Sequence, residues 1–187
     1  MPSPSTRLRT ANAFATTHSL PLLVLLGLVF GTAIIVPADE FRAGAAAVDI
    51  SPRVLPAIAN GGFLEATRNR VDDPLHARCL VLSNGDVTLG MAIVDSCMAP
   101  RDVCDEIKRR VEREVGLPAG RILIAATHTH SAPSLMDHCL GSRKDPAYAD
   151  TFIPQVAAGI VRAHAQLAPA EAGWVVVDAP EHTHCRR

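Results

Sequence analysis

The sequence predicts an α/β fold: a mixed sheet with a β-hairpin and a β-α-β unit, and helices covering the sheet. Three observations predict it. Two apolar runs, "LHARCLVLS" and "VTLGMAIVD", flank the dipeptide Asn84-Gly85, the pair that best tolerates a type I′ hairpin turn. The next stretch places Val103, Ile107, Val111 and Val115 four residues apart, with Arg109, Arg110, Glu112 and Arg113 on the other faces, the period of an amphipathic helix. An apolar run, "RILIAAT", follows that helix, so Val87 to Asp95, the helix and Arg121 to Thr127 form a β-α-β unit whose strands are expected to be parallel.

The elements follow in chain order. Residues 1–38 carry Arg7 and Arg9 ahead of the apolar stretch Leu20 to Val36, with small or short residues at Val36 and Ala38. This pattern is that of a secretory signal peptide or, at 17 mostly apolar residues, a short N-terminal membrane anchor, which places the protein in a secreted, periplasmic or membrane-anchored setting. Residues 39–187 form the remaining unit. "AGAAAVDISP" is expected as a first strand ended by Pro52, and "ANGGFLEATRNRVDDP" as a long loop. The two hairpin strands are too apolar to alternate cleanly, so both of their faces are expected to be covered. In the helix, Pro100 suits the first turn, Asp102 and Asp105 favour the positive end, and Gly116 followed by Pro118 ends it. A second helix runs through "YADTFIPQVAAGIVRAHAQL", with Phe152, Val156, Ile160 and Leu167 on one side, and "GWVVVDAP" is expected as a closing strand from Trp174 to Val177. No internal repeat is visible.

With 187 residues and 48% hydrophobic content, the chain can bury one core. The formal net charge of -1, without a basic stripe, argues against a nucleic-acid partner. Export would permit disulfides, yet Cys79, Cys97, Cys104, Cys139 and Cys185 are odd in number and show no CxxC spacing; Cys79, Cys97 and Cys104 fit small buried apolar positions.

The segment with the most chemistry is "AATHTHSAPS", where His128 and His130 follow the apolar run. In an extended segment, residues i and i+2 point to one face, so both imidazoles would stand together at the carboxyl end of a central strand, where open α/β sheets place ligands. Neutral imidazole is a common zinc ligand, and Thr127, Thr129 and Ser131 are candidate partners that fix the tautomers. A pair of structural histidines satisfies the same pattern.

The elements "ILIAATHTHSAPS", "AGAAAVDISP" and "LHARCLVLSNGDVTLGMAIVDS" together resemble the N-terminal part of the neutral/alkaline non-lysosomal ceramidases, over about Arg42 to Arg187. The resemblance implies a zinc-dependent amidase that cuts N-acylsphingosine into fatty acid and sphingoid base, with a lipid amide met at a membrane or micelle surface. It implies His128 as a zinc ligand and His130 as a catalytic residue lining the site, where imidazole can move protons or hold an oxyanion. It further implies an active-site role for Arg186, although Cys185 stands where the family carries asparagine. The family's remaining ligands, a histidine, a glutamate and a tyrosine, match no position here. Members are much longer, so residues 39–187 are expected to be the N-terminal portion of a larger catalytic domain, inactive alone. The alternatives are a non-catalytic exported domain, or a metallohydrolase of esters or phosphodiesters on the same scaffold.

Other residues are ambiguous. His182 and His184 form a second HxH beside Cys185, expected as exposed residues at the chain end. Asp137-His138 stands too far from His130 for an HxHxDH ligand pattern, and fits a polar loop. Asp95 suits either orienting the histidines or capping the helix that follows. Asp49, His76 and Arg78 are polar strand-end residues. Asn60, Gly61 and Gly62 suit a loop over the site or a plain glycine turn.

Overall fold

A computed structural model of the chain describes residues 40–138 and 140–182. The Asn84-Gly85 signal marks a hairpin between β4 (His76–Ser83) and β5 (Thr88–Val94), paired antiparallel from Ala77 opposite Val94 to Ser83 opposite Thr88. The connection spans the four residues 84–87 rather than a two-residue I′ turn. Asn84 accepts from Val87 N through its side chain at 2.9 Å, and only Gly85 takes a positive φ, at 89°. β1 (Arg42–Asp49) pairs antiparallel with the far side of β4, as "AGAAAVDISP" predicts.

The β-α-β unit forms as expected. α1 (Arg101–Val115) starts after Pro100, ends at Gly116 in the left-handed conformation (φ 71°), and buries Val103, Ile107 and Val111. It returns the chain to β6 (Ile122–Ala126), parallel to β5 from Gly90 opposite Ile122 to Val94 opposite Ala126. α2 (Tyr148–Ala165) packs on the sheet beside α1, burying Phe152, Val156 and Ile160 against Cys79, Val81, Ala92 and Val94. Sheet order is β6-β5-β4-β1-β7, where β7 (Ala168–Pro169) adds two residues to the edge of β1.

Three expectations change. The hairpin strands alternate after all: Ala77, Cys79 and Val81 are buried under the helices, whereas Leu89, Ile93 and, on β6, Leu123 (55% exposed) lie on a face that no described helix covers. The segment Trp174 to Val177 is not a strand, and its side chains are exposed, Trp174 to 91%. A strand needs a ladder partner, and the pairing on the edge of β1 ends with Pro169 opposite Arg42 and Ala170 N donating to Phe41 O at 3.0 Å, short of Trp174. Finally, the long loop contains a small antiparallel ribbon of β2 (Ala57–Ala59) and β3 (Ala66–Arg68), and Ala59 bridges to Pro133 just past the histidines.

Candidate metal centre

Because β5 and β6 are parallel neighbours, the chain leaves both at the same edge of the sheet, which brings Cys97 next to His128. Thr127 N donates to Val94 O at 3.0 Å, extending the pairing by one residue beyond β6. His128 then turns left-handed, with φ 62°. The two imidazoles are therefore brought together by a turn and not by the pleat of an extended strand, as the i, i+2 pattern suggested. A left-handed residue with a Cβ costs about 1–2 kcal/mol, and such strain persists where surrounding contacts fix it. Here the contact is the Nδ1–H of His128, which donates to the Cys97 carbonyl oxygen at 2.8 Å.

That bond settles the tautomer. A carbonyl oxygen only accepts, so Nδ1 carries the proton and Nε2 keeps its lone pair. His130 Nε2 lies 3.4 Å from His128 Nε2, with the rings 79° apart and their centroids 4.9 Å apart. Cys97 Sγ lies 3.8 Å from His128 Nδ1. Among the described residues, Cys97, His128 and His130 form a group whose donor atoms fall within 4.8 Å of one another, a set that could hold a metal ion. Two imidazole nitrogens on one tetrahedral zinc at about 2.0–2.1 Å are roughly 3.3–3.4 Å apart, which is also the separation of this pair.

The ribbon supports His130. Gly61 (φ 98°) lies so close that a Cβ there would sit 2.4 Å from His130 Cβ and Cγ. Asn60, almost fully buried, donates from its amide to Ser134 Oγ at 3.3 Å and from its backbone to Ala132 O at 2.9 Å. Ser134 N donates to Ile58 O, and Ser142 Oγ to Ala59 O, so the ribbon is tied to the loop after the histidines. At its tip Glu65 accepts two guanidinium bonds from Arg143 at 2.9 and 2.7 Å. These bonds, with the Arg143 backbone N–H, bring the Glu65 carboxyl down to about 2.

Thr129 and Ser131 are not seen orienting the rings: with Asp95, Arg68 and Asp72 they line a cleft of about 450 Å³ beside the turn. Asp95 neither orients the histidines nor caps α1. It accepts from His76 N at 2.9 Å and from Arg78 Nη1 at 2.9 and 3.0 Å. Burial raises its pKa, but the Arg78 and His76 bonds outweigh this and leave it below the ordinary value. Asp49 accepts from Ser51 N at 2.7 Å. Asp137 accepts from Lys144 N in an exposed loop that also holds His138. Arg186, His184, Cys185 and Cys139 lie outside the described residues, as do residues 1–38, and the described part of the second HxH ends at His182 in a short turn. Among the described residues no helix is long and apolar enough to cross a membrane.

One participant escapes the sequence reading: Cys97 reads only as a small buried residue, whereas Gly61, read as part of a loop over the site or a plain glycine turn, does lie against His130. The parallel pairing of the strands ending in "IVDSC" and "ILIAATH" is the signal that places Cys97 beside His128.

No family model and no curated protein matches the chain. Solved structures do. Neutral ceramidase from Pseudomonas aeruginosa superposes with a TM-score of 0.62 at 21% identity, over 70% of this chain and 22% of that one. A ceramidase complexed with C2 superposes with a TM-score of 0.52, also at 21% identity and over the same shares. The chain thus spans about a fifth of the length of these structures, and at this identity the likeness is one of fold: an α/β chain built like part of a neutral ceramidase.

Proposed function

We propose that this chain carries part of the active site of an exported, zinc-dependent hydrolase of linear amides, with N-acylsphingosine as substrate and fatty acid and sphingoid base as products. The observation that carries the reading is the pair of imidazole nitrogens converging at 3.4 Å at the carboxyl edge of the sheet. The fold likeness to ceramidases supports the substrate class, and the leader-like residues 1–38 support a location outside the cytoplasm.

His128 offers the ion its Nε2 lone pair, because the Cys97 carbonyl holds the proton on Nδ1. The same bond fixes the ring's direction. Zinc, when bound, polarises the amide carbonyl and acidifies water near neutral pH. Both imidazoles are exposed on this chain, on the side from which an extended acyl amide would meet them.

The test is hydrolysis of N-acylsphingosine and, in parallel, of a phosphodiester by the protein in its complete form, with and without chelator. Fatty-acid release that chelator abolishes and zinc restores is expected. Ceramide cleavage insensitive to chelator would overturn the zinc assignment, and cleavage of the phosphodiester alone would overturn the substrate class.

A further inference from the structure

Resting on the lipid-amide reading for its choice of partner, we infer that the tip of the small ribbon, Phe63 and Leu64 with Leu140 beside them, is an anchor that inserts into a lipid surface and seats the histidine edge of the sheet against it.

The topology sets where these residues stand. β1 ends at Asp49 opposite the first residue of β4, and β5 and β6 end together at Val94 and Ala126. Residues 50–75 and 127–147 therefore both leave the sheet at the edge that carries the histidines. At the turn between β2 and β3, Phe63 is 95% and Leu64 83% exposed. Leu140, also exposed, meets them from the other connection, where a Cβ on Gly141 would overlap the Phe63 carbonyl. Just before the tip, Gly61 lies against His130, so the apolar tip and the imidazole adjoin. Val54, Leu55 and Val71 are exposed in the same 50–75 connection. In the connections at the opposite edge, 84–87, 116–121 and 166–167, Val87 is the one exposed large apolar side chain among the described residues.

The tip is held out by its base. Ser142 Oγ donates to Ala59 O at 2.7 Å, and Arg143 donates two guanidinium bonds to Glu65, the residue after Leu64. A contiguous set of exposed apolar side chains marks an interaction surface. Its shape selects the occupant: a protein would need a pocket matched to a projecting turn, whereas fluid acyl chains close around any pair of apolar side chains. The Glu65–Arg143 pair and exposed Arg68 would then lie among the headgroups, the division of apolar and charged groups that interfacial segments show. The amide of an N-acyl lipid sits at that same level, between headgroup and chains, within reach of the histidine turn.

The test reads insertion and not turnover, on phosphatidylcholine vesicles that contain no amide substrate. In the full chain, Phe63→Trp with Trp174→Phe leaves a single tryptophan at the tip, and Val87→Trp with Trp174→Phe leaves one at the opposite edge. Circular dichroism confirms that both are folded. On adding vesicles, emission of the tip reporter is expected to shift to shorter wavelength and to be quenched by lipids brominated on their chains, while the Val87 reporter changes little. The shift should persist at about 0.5 M salt, where attraction between exposed charges is screened. Adding Leu64→Ser to the tip reporter should raise the lipid concentration for half-maximal quenching about tenfold, the scale of one apolar side chain withdrawn from lipid. No shift at the tip, equal shifts in both reporters, a shift lost at high salt, an unchanged midpoint with Leu64→Ser, or a tip reporter shielded from water before lipid is added would each overturn the inference. Tip insertion in a protein that fails to hydrolyse N-acylsphingosine would support the anchor and overturn the substrate class instead.

Discussion

Replacing Gly61 by alanine tests how tightly the ribbon sets the histidine pair. The new Cβ would stand 2.4 Å from Cβ and Cγ of His130, whereas carbon atoms rest at about 3.5–4.0 Å, so one side must move by roughly 1 Å or more. The tolerance of a metal–ligand bond is about 0.2 Å, several times smaller. Gly61 cannot easily yield, because its backbone is fixed at φ 98° and Asn60 is tied to Ala132 and Ser134. His130, exposed and outside any strand, moves instead. The expected result is zinc affinity lowered by about 10–100-fold, the scale of a disturbed supporting contact, in a protein that still folds. Alanine in the left-handed region adds a loss of about 1–2 kcal/mol, lowering the melting temperature by several degrees. Chelator competition and a thermal melt on the same sample measure both. Parental zinc affinity beside a lowered melting temperature would refute the claim that Gly61 positions His130.

Other substitutions test the frame. Glu65→Gln removes a carboxylate whose folded pKa is about 2 against an ordinary 4.5. A depressed carboxylate stabilises above its unfolded value, so the melting difference between parent and variant should be present at neutral pH and fade as pH falls from about 4.5 toward 2. Tyr148→Phe leaves the Ile50 carbonyl without the hydroxyl that donates to it at 2.9 Å, an expected loss of about 1–2 kcal/mol by denaturant titration. The Tyr148 phenol, raised above its ordinary value first by burial and then by Asp49 and Asp95, should stay protonated in an alkaline absorbance titration after an exposed tyrosine would have ionised. Phe152→Ala opens the core between α2 and the sheet and should cost about 3–5 kcal/mol in the same titration.

Local signals located most of the fold. Four-residue spacing placed α1, Asn84-Gly85 placed the hairpin, and strand-helix-strand order fixed the parallel pairing of β5 and β6. Tertiary partners were harder to read. The apolar character of Trp174 to Val177 resembles a strand, but a strand exists only where a neighbour offers its N–H and C=O groups. Similarly, apolar residues such as Leu123 say that a face favours burial and not what covers it. At the site the two histidines were visible in "THTHS", although the extended-strand argument for their meeting was wrong: His128 is left-handed, a conformation the sequence does not announce for histidine. The carbonyl of Cys97 acts through the backbone, which leaves no trace in residue type, so only the pairing of β5 with β6 reveals it.

The most direct measurement is X-ray absorption at the zinc edge of the zinc-loaded protein. Imidazole should appear in the multiple scattering, with nitrogen or oxygen neighbours at about 2.0–2.1 Å. Zinc scattering without any imidazole, or no zinc retained after dialysis, would contradict the histidine metal site on which the proposed chemistry rests.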